Sequence, residues 1–146
     1  MDQRITKSIN LSGNNPENKR TEIPKYFHDS FNFEKKLFAT LRRNETYFFP
    51  ANPLCHPLIF YFGHTAAFYI NKLALAKILN EKINSKLESM FAVGVDEMSW
   101  SDLTEAHFDW PSVQEAEKNK NKVQNHIEKH HKRFILTLPT GQENPF

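Results

Sequence analysis

The sequence predicts an all-α protein built as an up-and-down helical bundle, and three observations carry that reading. Apolar residues recur at steps of three and four over long stretches, the period of a helix with one buried face. Only four glycines stand against 13 phenylalanines, which suits helices around an aromatic core better than a loop-rich β design. Pro16, Pro57 and Pro111 each stand at the start of a periodic segment, where the missing N–H costs a helix nothing. A chain of 146 residues has the usual size of one domain and is long enough to bury a core.

Residues 1–15 end in NLSGNN, lack apolar periodicity and read as an amino-terminal arm; the bundle occupies 16–146. From Pro16 onward, Ile23, Tyr26, Phe27, Phe31, Phe33, Leu37, Phe38 and Leu41 recur between Glu, Lys and Arg, predicting a first long helix with a kink near Pro24. The stretch RRNETYFFPANPLCHP then reads as a loop, because Pro50, Pro53 and Pro57 forbid a continuous helix and hold the residues before them extended. Pro57 opens a second helix that runs to Leu79 and is apolar almost all round, as expected of a helix enclosed by neighbours.

After Asn80, KLESMFAV predicts a short helix and Gly94 breaks it; DEMSWSDL reads as an ordered acidic loop in which Met98 and Trp100 are buried. In WPSVQE, Ser112 precedes Glu115 by three residues, the spacing of a capping box, so a third long helix starts near Val113 and ends before Pro139. Its apolar stripe is Val113, Ala116, Val123, Ile127, Phe134 and Ile135, with its Lys and Asn residues elsewhere. Three long helices leave an all-round apolar helix short of partners, since bundles of this kind normally close with four.

Composition excludes several functions. The 19 basic and 17 acidic side chains leave a net charge of +2, too small a field to gather nucleic acid or an anionic membrane. The span from Leu58 to Leu79 is long enough to cross a bilayer, yet it carries His64, Asn71, Lys72 and Lys77. A lysine near a bilayer centre costs roughly 2.5–3.5 kcal/mol, so a buried helix is expected and no membrane partner. A single cysteine, Cys55, cannot form an internal disulfide, and no signal-peptide pattern opens the chain; a cytoplasmic location is expected.

The most apolar stretch, HPLIFYFGHTAAFYINKLALAKIL, carries His64 at its middle, with Phe60, Tyr61, Ala67, Phe68 and Asn71 as helical neighbours. Spacing alone favours a hydrogen-bonded core histidine over a metal ligand. Gly63 beside it admits a close approach by another group. In NHIEKHHK, His126 and His130 share a helix face at the spacing of a two-histidine metal site, but Lys129, Lys132 and Arg133 crowd the same turn, which favours a solvated basic helix end. Asp96, Glu97 and Asp102, near Trp100, lack the spacing of a calcium loop and read as cap and docking residues. Cys55 and His56 are adjacent in an extended loop and point opposite ways, a poor nucleophile and base. Neither a phosphate-binding glycine loop nor a Cys-x-x-Cys pair occurs.

Two strings, HPLIFYFGHTAAFYINKL and FAVGVDEMSWSDL, resemble the amino-terminal region of the ovothiol-biosynthetic 5-histidylcysteine sulfoxide synthases. The resemblance covers most of the chain: NLSGNNPENKRTEI is similar to that family's opening arm, WPSVQEAEKNKNKV to its next helix and LTLPTGQENPF to the approach to the following one. It implies a DinB-like helical bundle that complete members join to a formylglycine-generating-enzyme-like catalytic domain, using non-haem iron and oxygen to join cysteine to histidine as a sulfoxide. It also implies that His64, in the Gly-His step of the second helix, is one iron ligand. The family's other two ligands lie in a His-x-x-x-His-x-Glu motif after a Pro-Phe step, and here Pro145 and Phe146 are the last residues. His126 and His130 mimic the spacing, but they precede that step and Lys132 stands where Glu is required, so the role does not pass to them.

The expectation is therefore an amino-terminal part of such an enzyme, without its catalytic second domain. Its partner would be the missing carboxy-terminal portion or a companion chain, with cysteine and histidine the substrates of the whole. One imidazole holds iron(II) too weakly for this chain to keep it alone, because such sites need three protein ligands. The rival expectation is a stand-alone DinB-like binding module that dimerises without metal, and a further one is a self-contained metal site of His64, His126 and His130.

Overall fold

The computed structural model describes residues 9–10, 16–52, 55–94 and 109–131. Their organisation is all-α, with three long helices as the periodicity predicts. Helix α1 is Pro16–Phe38 and continues through Pro24. Its first turns are laced by Arg20 to Glu17 at 3.2 Å and by Lys25 to Asp29, ion pairs at helical spacing. Phe27 and Phe31 point inward, whereas Phe33 and Leu37 are exposed.

The proline-rich connection contains a short 3-10 helix, η1, at Asn44–Phe48, inside what the sequence predicts as loop. Tyr47 of η1 is buried, and its hydroxyl donates to the Phe38 carbonyl at 3.0 Å, covering the end of α1. A lone antiparallel bridge joins Pro50 to Pro57 and closes the connection.

Helix α2 is Leu58–Leu75. The expected continuation to Leu79 does not form. Lys77 adopts φ 57°, and the amides of Lys77 and Ile78 return to the carbonyls of Ala74 and Leu73, each at 2.9 Å. This is a Schellman ending with lysine in the left-handed position that glycine normally takes. The chain then turns so that Leu79 is buried in a cluster with Phe27, Phe31, Ile70 and Ile127.

Helix α3 is the short Ser85–Met90, within the predicted KLESMFAV segment. The Asn84 side chain caps it by accepting the Leu87 amide at 3.2 Å, and Gly94, at φ 76°, follows the turn after it. Helix α4 is Val113–His130 and begins as predicted: Glu115 N–H donates to Ser112 Oγ at 3.2 Å while Ser112 N–H donates to Glu115 Oε2 at 2.9 Å. Residues 132–146, with Phe134 and Ile135, lie outside the described residues, as do Asp96, Glu97, Met98, Trp100 and Asp102.

Helix α2 is central, packing on α4, α3 and η1, while α1 packs on α4. Two apolar clusters result. One gathers Tyr47, Ile59, Phe60, Phe62, Leu87, Phe91 and Ala116; the other gathers Phe27, Phe31, Ala66, Ile70, Val123 and Ile127. Two expectations need correction. Helix α2 is not enclosed on every side: Tyr61, Phe68 and Leu75, seven residues apart, are 42%, 41% and 77% exposed. And α4 does not keep its Lys and Asn residues off the core, because Asn119, Lys120 and Gln124 are buried with Val123 and Ile127. Among the described residues no helix is long and apolar enough to cross a membrane.

Candidate functional site

His64 lies half-buried on α2, between Phe60 one turn before and Phe68 one turn after, its ring stacked on Phe60 at 5.1 Å and tilted against Phe68 at 6.0 Å. Its Nδ1 lies 2.7 Å from the Phe91 carbonyl oxygen. A carbonyl only accepts, so Nδ1 carries a proton, and in the neutral tautomer that this fixes the lone pair is at Nε2. That arrangement satisfies a core histidine. It is also how a metal-binding imidazole is held, with one ring nitrogen spent on a carbonyl and the other left as donor.

Gly63 makes this bond possible. A Cβ there would sit 2.4 Å from two carbons of the Phe91 ring, so the ring occupies the space that any side chain would fill. Phe91 is fully buried and stacks on Trp110 at 6.0 Å, which fixes the carbonyl that His64 needs. The close approach that Gly63 permits is thus by an aromatic side chain.

His56 joins the same assembly. It stacks on the other side of the sequence step from Phe60, with ring centres 3.9 Å apart, and its Nε2–H donates to the Val93 carbonyl at 3.1 Å. His56, Phe60 and His64 stand four residues apart, and the two imidazoles hold the carbonyls of Phe91 and Val93 in the turn after α3. Burial pushes the His56 pKa down, the Val93 bond opposes this, and nearby His64 adds to the depression. With Nε2 committed to Val93, His56 is positioned as a strut beside the exposed Cys55.

His126 and His130 do share one face of α4, as their spacing predicts, and their rings stack at 4.2 Å. His130 Nδ1–H donates to the His126 carbonyl at 2.8 Å. Burial lowers the His126 pKa, with His130 and Lys129 adding to the effect against the raising influence of Glu81. The structure does not join this pair to His64: among the described residues no three His, Cys, Asp or Glu side chains form a group able to hold a metal.

Two buried charged groups were not anticipated from sequence. Lys120, with none of its surface exposed, donates from Nζ to Glu34 Oε2 at 2.7 Å and to the Phe62 carbonyl at 2.9 Å, and lies 4.8 Å and 5.0 Å from the ring centres of Phe31 and Phe62. Glu34 accepts Thr65 Oγ1 with its other oxygen at 2.8 Å, so one network ties α1, α2 and α4. Burial lowers the Lys120 pKa, and Glu34 opposes the shift. Glu88, also fully buried, accepts the amides of Ile83 and Asn84 at 2.8 Å and 2.9 Å, while its Oε2 has no partner among the described residues. Glu88 falls four residues after the Asn84 cap rather than the three of a capping box, and nothing local marks Lys120 as buried.

No family model matches the chain. No curated protein matches it either.

Proposed function

We propose that this chain is the DinB-like part of a non-haem iron, oxygen-dependent sulfoxide synthase that joins cysteine to histidine, and that it supplies His64 to an iron site completed by residues outside these 146. The observation that carries the reading is the hydrogen bond from Nδ1 of His64 to the Phe91 carbonyl, which leaves Nε2 as the ring nitrogen able to face a metal. Support also comes from the two strings that resemble the family, which supply both partners of that bond: GHT in one and the FAVG start of the other.

An imidazole donor suits iron(II), and the fit is for one ligand of three. Iron, when bound, would supply the activation of oxygen; this chain orients one donor, with Nδ1 bound to the Phe91 carbonyl. Phe60 and Phe68 flank the ring, and the bond to the Phe91 carbonyl opposes its rotation. Alone, the chain is not expected to form the sulfoxide.

The test begins with the transcript beyond the codon for Phe146, or the adjacent reading frame, where a His-x-x-x-His-x-Glu helix is expected. Co-purified with that portion and iron, the chain should convert cysteine and histidine to the sulfoxide, and His64→Ala should lower the rate by about 100-fold or more. Sulfoxide formation by the 146-residue chain alone, or full activity in the His64→Ala complex, overturns the proposal.

A second reading has its own support. Tyr61, Phe68 and Leu75 form an exposed apolar stripe on α2, the surface a metal-free dimeric binding module would bury against a second copy. Sedimentation across a range of concentrations separates the two: a tight, soluble, metal-free dimer supports the module, and a species that aggregates through the stripe supports an incomplete bundle.

A further inference from the structure

A cleft of about 390 Å³ lies between α3 and the first turns of α4, far along the chain from His64 and sharing none of its contacts to the Phe91 carbonyl. Leu87 and Met90 of α3 line it from one side, Asn119 and Lys122 of α4 from the other, and Trp110 also lines it. That size suits a small molecule.

Two features give the cleft a chemistry. Asn119 is 5% exposed as a residue and its carboxamide forms no hydrogen bond among the described residues; its polar atoms are not among the fully buried ones left unpaired, so what surface they keep is open to the cleft. It lines the cleft with both a donor and an acceptor to offer. The rim carries three lysines, Lys86, Lys118 and Lys122, none of them in an ion pair among the described residues, against two carboxylates, Asp109 and Glu115. Glu115 is already spent on the amide and hydroxyl of Ser112 at 2.9 Å and 2.8 Å. The remaining charge is positive, and the indole and thioether offer a flat apolar contact.

We propose that this cleft binds a small heteroaromatic carboxylate, its ring against Trp110 and Met90, a ring nitrogen on the Asn119 carboxamide and its carboxylate among Lys118, Lys122 and Lys86. The site needs neither iron nor His64, and it meets the His64 assembly only through Trp110, which stacks on Phe91.

The test is an NMR titration of the full 146-residue chain with three probes: nicotinate, benzoate, which lacks the ring nitrogen, and nicotinamide, which lacks the charge. Nicotinate is expected to shift the amide signals of Trp110 and Asn119 with a Kd of about 1 mM or below. Benzoate and nicotinamide should each bind roughly tenfold more weakly, the loss of one polar contact. Asn119→Leu should bring nicotinate down to the level of benzoate. The exposed pair Lys118→Gln and Lys122→Gln, which the fold does not need, should weaken both carboxylates roughly tenfold and leave nicotinamide unchanged. Absence of shifts in the cleft at about 20 mM nicotinate, equal binding in the Asn119→Leu protein, or equal binding of the acid and the amide would each overturn the proposal.

Discussion

At the scale of single residues, the position of the His64 ring depends on an atom that is absent. Phe91 lies where a Gly63 side chain would be, and being fully buried against Trp110 it has no free direction in which to withdraw. Gly63→Ala should therefore cost about 1–3 kcal/mol by overpacking, read from urea denaturation. It should also lengthen the bond from Nδ1 to the Phe91 carbonyl, visible as a change in the imidazole signals of His64. Two half-buried histidines, His56 and His126, set a pH dependence. Folding lowers the pKa of His56 and of His126 from the ordinary 6.5, in both cases first through burial. The folded state thus binds fewer protons than the unfolded chain in this range. Their contribution is fully present above 6.5 and is lost as pH falls through the lowered folded-state values. The melting temperature should drop between about pH 7 and pH 5, and His56→Gln with His126→Gln should flatten that slope. Carboxylates such as Asp29, whose pKa is lowered chiefly by Lys25, titrate below this window.

At the scale of elements, the helix starts were legible and one stop was not. The capping box of Ser112 and Glu115 is a purely local exchange of hydrogen bonds, so three residues of sequence suffice to place the start of α4. The end of α2 has no such signal, because Lys77 occupies a left-handed conformation that a sequence reader assigns to glycine. What holds it there is the burial of Leu79 and the two returning amide bonds. Lys77→Gly removes the Cβ penalty at that position and should stabilise the protein by about 0.5–1 kcal/mol, read as a rise in melting temperature. An unchanged or lowered melting temperature would show that the lysine stem contributes packing that outweighs the backbone cost.

At the scale of the whole molecule, Lys120 is the joint on which three helices meet. Its ammonium ends on Glu34 of α1 and on the Phe62 carbonyl of α2, so its removal leaves a carboxylate and a carbonyl short of a donor at once. Lys120→Ala should cost about 3 kcal/mol or more, the range for breaking a buried ion pair. Lys120→Met, which keeps the volume, should cost less, because Glu34 is 20% exposed and retains the Thr65 hydroxyl. Chemical denaturation of the two variants checks the order; equal losses would assign the effect to the missing ammonium rather than to packing.

The three long helices and the all-α class were determined by the sequence itself, since apolar period, proline position and capping residues act over a few neighbouring residues and need no partner. So was the shared face of His126 and His130, which helix geometry alone dictates. Only the tertiary structure decided which polar residues go inside. The period of α4 puts Asn119, Lys120, Val123 and Ile127 on one side, but whether a lysine there is tolerable depends on a carboxylate 86 residues away and on two aromatic rings from other helices. The same holds for His64, whose neighbours on α2 could be read from spacing, while the carbonyl that selects its tautomer comes from the turn after α3. Local forces are written in consecutive residues; the desolvation of a charge is settled only by what the fold brings against it.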